Sequence, residues 1–71
     1  MDYDYSKLSG KIKEVFGTQE AFAKAMDMGK TTVSLKMNNH TEWTQAEMTK
    51  AMDLLRIPHT SVRAYFFTHK V

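Results

Sequence analysis

The stretch from Gln19 to Asn38, QEAFAKAMDMGKTTVSLKMN, decides the fold. Phe22, Ala23 and Met26 recur at i, i+1 and i+4, which places them on one face of a short helix over Gln19–Met26. Asp27-Met28-Gly29 breaks that pattern. A further helix is predicted from Lys30 to Met37, with Val33 and Met37 four residues apart on its inner face. Two short helices joined by a three- or four-residue turn make a helix-turn-helix, here over about residues 18–38. The unit needs a small residue where the helices cross, and Ala23 supplies it. It needs an apolar plug in the turn, and Met28 supplies it. Lys30, Thr31, Ser34 and Lys36 are then left on the outer side, and Leu35 also lies off the Val33–Met37 stripe.

Helical spacing continues in both directions. Upstream, Leu8, Ile12, Val15 and Phe16 form one stripe on a helix from about Ser6 to Phe16, closed by Gly17. Thr18 is placed to cap the helix that follows. Downstream, Thr44 and Glu47 have the spacing of a capping box, with Trp43 and Met48 as a hydrophobic staple around it. Met48, Ala51, Met52 and Leu55 continue that helix inward. Pro58 ends or restarts the chain. A fifth short helix from about Pro58–Thr60 carries Val62, Tyr65, Phe66 and Phe67, and the tail from Thr68 to Val71 is expected to be loose. The fold class is all-α: a compact bundle of about five short helices, one domain over residues 1–71.

Composition narrows the function. A chain of 71 residues buries only about 60% of its unfolded surface, which leaves little room for a deep catalytic pocket. With no cysteine, disulfides, thiolate metal sites and a Cys nucleophile are excluded. His40, His59 and His69 share no ligand spacing, so no metal or cofactor is expected. Ser34 has no His placed beside it and no carboxylate pair stands at a convincing spacing, so no catalytic residue and no enzyme is expected. No apolar run is long enough to span a membrane, and the acidic start Asp2-Tyr3-Asp4 is unlike a signal peptide. A cytoplasmic protein with no membrane partner is the expectation. The net charge of +2 permits nucleic-acid binding without demanding it. The six methionines stand mostly at core spacing and read as gap-fillers.

Gln19-Glu20-Ala21-Phe22-Ala23, then Met28, then Thr32-Val33-Ser34 with Met37-Asn38, resembles the helix-turn-helix of Cro/CI-type, lambda-repressor-like phage regulators. Thr32-Val33-Ser34 with Asn38 is also similar to the lac-repressor-type headpiece. The wider frame, opening on Tyr5-Ser6-Lys7-Leu8 and ending on Tyr65-Phe66-Phe67, resembles small Cro-like regulators of temperate phages of Gram-positive bacteria. The resemblance implies a helix placed in the DNA major groove. Lys30 and Thr31 then hold base-reading positions, and Leu35 a further groove-facing one. Gln19 and Asn38 match backbone-contacting positions, and Gly29 stands at the cap of the reading helix. Lys30 suits guanine O6 and N7, and Thr31 or Leu35 a thymine methyl. Operator DNA is the partner so implied.

The chain departs from that pattern at several places. Asp27 stands where the turn usually has Gly, Gly29 where the cap is usually Ser or Thr, and Asn39 where Gly usually follows. No arginine occurs before Arg56. These departures motivate a second reading, an antirepressor that binds the phage's CI-type repressor and blocks its DNA binding. Leu35 suits a protein partner, and Glu20, Asp27, Glu42 and Glu47 suit a basic one. The plain alternatives are that Lys30 and Lys36 are a solvated face and Leu35 a lone exposed residue. Tyr65, Phe66 and Phe67 do not all fit one inward face. One of them is expected outside, either as a homodimer contact or folded back on the first helix.

Overall fold

The structure, a computed structural model, describes residues 2–71. Five α-helices follow one another: α1 (Ser6–Phe16), α2 (Gln19–Ala25), α3 (Lys30–Met37), α4 (Gln45–Leu54) and α5 (Val62–Phe66), the last entered through one 3₁₀ turn (His59–Ser61). The architecture is the all-α bundle that the periodicity predicts. Leu8 and Ile12 of α1, Phe22 and Ala23 of α2, Val33 of α3, Ala51 and Met52 of α4 and Phe66 of α5 meet in one core. No helix among the described residues is long and apolar enough to cross a membrane.

Local chemistry sets the helix ends. Gly17 closes α1 at φ 82°, a backbone conformation that glycine adopts without a Cβ penalty. Thr18 caps α2, its side-chain oxygen accepting from the Ala21 N–H at 3.1 Å. The capping box of α4 is complete: Thr44 Oγ1 accepts from Glu47 N at 3.1 Å, and Glu47 Oε1 accepts from Thr44 N at 2.8 Å. Asp27, Asn39 and Arg56 all have positive φ, so each of three helices ends on a left-handed residue.

Three expectations are corrected. Val15 is not part of the buried stripe of α1; it is exposed, because the core turns away from that side of the last turn. The tail is not loose. Tyr3 and His69 form an antiparallel bridge, Asp4 N donates to Thr68 O at 2.6 Å, and Lys70 N donates to Asp2 O at 3.3 Å. The two ends therefore satisfy each other's backbone groups. Asn39 extends this clasp to the end of α3: its side chain accepts from Tyr3 N at 2.8 Å and donates to Tyr3 O at 2.9 Å. Finally, Phe66 is buried inside its own core against Trp43, with ring centroids 5.5 Å apart, and has no surface to give a homodimer. Phe67 is the outward aromatic of the three, and it also meets Tyr3 edge to face at 5.9 Å.

Candidate functional site

Helices α2 and α3 cross closely, and the turn between them is tightly bonded. Asp27 N donates to Lys24 O at 3.0 Å and Met28 N to Ala23 O at 2.9 Å. Lys50 reaches over from α4 and donates to Met26 O at 3.1 Å, placing a cation at the negative end of α2. Ala23, Phe22 and Met26 are buried, Val33 is fully buried, and Met28 and Met37 pack half-buried against the same core. Val33 N donates to Gly29 O at 3.1 Å, but Gly29 offers no side-chain cap.

This packing presents Lys30, Thr31 and Leu35 to solvent, with Ser34 half-buried beside them. Thr32, absent from the outer residues that the spacing predicts, is exposed too. Its place one turn before Leu35 was the available signal. Gln19 and Asn38 lie apart from that face. They border a polar hollow of about 390 Å³ between the start of α2 and the end of α3, shared with Tyr3, Ser9 and Lys70. The Asn38 amide is turned onto its own helix, donating to Ser34 O at 2.8 Å.

Lys36 is the main correction to the outer face. It stands i+3 from Val33 and so shares its inward side, leaving only 7% of the residue exposed. Its ammonium donates to Glu42 O at 2.8 Å and lies 3.1 Å from Glu47 Oε1. It also sits 5.9 Å over the centre of the Trp43 ring. The side chain is fully occupied in joining α3 to the capping box of α4. Glu47, assigned on sequence to an acidic partner face, is occupied in the same way. Burial alone would push the Glu47 carboxyl up; the Thr44 N–H and the Lys36 ammonium outweigh it and hold the group below its usual range.

The exposed charges of α2, the turn and α3 cancel, and Lys50 of α4 adds one cation at the end of α2. Among the described residues of 19–38, two exposed lysines, Lys24 and Lys30, are matched by two exposed carboxylates, Glu20 and Asp27. Against phosphate such a surface neutralises little charge, and phosphate contacts supply most of the affinity of a DNA-binding unit. Leu35, 40% exposed, is the large apolar group of this face.

A small all-α bundle in which α2 and α3 meet through one short turn is what these residues build. The chain belongs to the family described as protein of unknown function (DUF739), which matches residues 1–69. It is similar to the modulator of repression (MOR) of the temperate bacteriophage TP901-1 from Lactococcus lactis, known from a solution structure. The two are 46% identical, with a TM-score of 0.85, over 100% of this chain and 96% of the other. No curated protein matches the chain.

Proposed function

We propose that this chain is a phage antirepressor: it binds a CI-type repressor and blocks the repressor's access to operator DNA. The observation that carries this reading is the outer face of the helix-turn-helix. With Lys36 drawn inward, α3 offers an apolar Leu35 among Thr31 and Thr32 with Lys30 as its exposed cation, and α2 and the turn add the exposed Glu20, Lys24 and Asp27. A protein interface tolerates that composition, being depleted of charge at its centre. A phosphate backbone rewards it poorly. The 46% identity to a phage modulator of repression supports the same assignment to a switch between repressed and expressed states.

Lys30 and Thr31, exposed at the start of α3, support a second reading, Cro-like binding to operator DNA. Gel filtration of the purified chain with its cognate repressor separates the two. The antirepressor reading expects co-elution as a complex. Co-elution with operator DNA alone, and none with repressor, would favour the Cro-like reading.

A further inference from the structure

A second concave site lies away from the outer face of α3. Tyr3, Tyr5, Trp43, Phe66 and Phe67 line a cleft of about 280 Å³ together with Met48 and Glu42. The rings are set at angles, not stacked: Tyr3 and Tyr5 are tilted by 38° at 6.2 Å, and Trp43 meets Phe66 edge to face. Tyr5, Trp43 and Phe66 are buried, so the ring surface open to this cleft is that of half-buried Tyr3 and of Phe67, which is 41% exposed. The Glu42 carboxylate has no hydrogen-bond or ion-pair partner among the described residues; Lys36 takes only the Glu42 backbone oxygen and gives its charge to Glu47. Burial, then Tyr3, then the nearby Glu42 charge raise the Tyr5 hydroxyl above its ordinary value.

Electron-rich ring faces beside an unpaired carboxylate attract a cation. A cleft this small admits one side chain and not an extended ligand. A guanidinium suits it better than an ammonium, because it is planar, weakly hydrated and stacks on aromatic rings. A nucleic acid would bring its phosphates against Glu42, so the cation comes from a protein. We infer that this cleft receives the guanidinium group of an arginine side chain from a protein partner, with the accessible rings of Tyr3 and Phe67 supplying cation–π attraction and Glu42 the counter-charge. The inference does not require that partner to be a repressor, nor that α3 touch it.

The test is an NMR titration of the whole chain with N-acetyl-arginine N-methylamide, observing the Trp43 indole N–H and the rings of Tyr3 and Phe67. Trp43 is a clean reporter, since its Nε1 is buried with no hydrogen-bond partner. The expected result is saturable shifts at those groups and none with the capped citrulline analogue, which has the same shape without the charge. Glu42→Gln alters an exposed side chain that makes no internal bond, and should weaken binding roughly two- to fivefold, the worth of an exposed ion pair. Phe67→Ala should weaken it as well. Absence of saturable shifts, an equal response to citrulline, or unchanged affinity in both variants would overturn the assignment. The titration contains no repressor, so its outcome is independent of the antirepressor reading.

Discussion

Lys36 Nζ stands 3.1 Å from Glu47 Oε1, so the helix that presents the outer face is tied directly to the cap of the helix behind it. The same carboxylate oxygen accepts from Thr44 N at 2.8 Å. One Glu47 side chain therefore serves two structures at once: the start of α4 and the seating of α3.

Removing the cation should cost stability without removing the fold. Lys36→Ala leaves the Glu42 carbonyl without its donor and Glu47 without its counter-charge, and should destabilise by about 1–3 kcal/mol. Lys36→Met keeps the packing of the stem and should lose less than Lys36→Ala. Urea denaturation of the two variants checks the order. Equal stability of wild type and Lys36→Ala would mean that the pair contributes nothing.

Acid should loosen the same junction. The folded pKa of Glu47 lies below its usual value of 4.5, so the unfolded chain binds the proton more readily. Stability from this group is therefore complete above the usual value and is lost as the pH falls from there through the lowered folded value. Glu47→Gln should be less stable near neutral pH and show a shallower loss on acidification. Denaturation midpoints of both proteins between about pH 7 and about pH 3 measure the difference.

Asn39 separates backbone strain from hydrogen bonding. It holds φ 65° and bonds both the N–H and the carbonyl of Tyr3. Asn39→Ala loses the bonds and keeps the unfavourable backbone, at about 1–3 kcal/mol. Asn39→Gly loses the bonds but relieves the backbone, and should cost less. Thermal unfolding ranks the two, and an Ala variant as stable as the Gly variant would contradict the account.

Substitution at the outer face should separate binding from folding. Leu35 is 40% exposed, so Leu35→Asp should cost about 1–2 kcal/mol, from lost partial burial and the poor helix propensity of Asp, and leave the chain folded. Repressor binding, followed by calorimetry, should fall by about tenfold or more if Leu35 is a central contact. Unchanged affinity would move the interface elsewhere on the molecule.

Much of this architecture is legible in the residues themselves. The boundaries of α3 follow from Gly29 before it and the polar Asn38-Asn39 pair after it. The capping box of α4 follows from the Thr44–Glu47 spacing. The left-handed turns at Asp27 and Asn39 follow from their standing where glycine is usual. What stayed hidden depends on distant partners. Lys36 reads as a solvated lysine by residue type, and its burial needs Glu47, eleven positions on, together with a carbonyl from the intervening loop. The Tyr3–His69 clasp joins the two ends through backbone groups, which leave no side-chain pattern to read. Glu42 and the aromatic cleft come together from the first residues, the loop before α4 and the end of α5, a convergence that helical periodicity does not encode.

On the proposed function, the outer face of α3 meets a repressor protein and not DNA. The most direct measurement adds the chain to a preformed repressor–operator complex in a gel-shift assay, beside lanes holding the chain and operator alone at low salt. The account predicts that added chain frees the operator while the chain alone leaves it unshifted. An operator shifted by the chain alone, weakening with a log–log salt slope of about −0.9 per neutralised phosphate, with the repressor complex left intact, would contradict it.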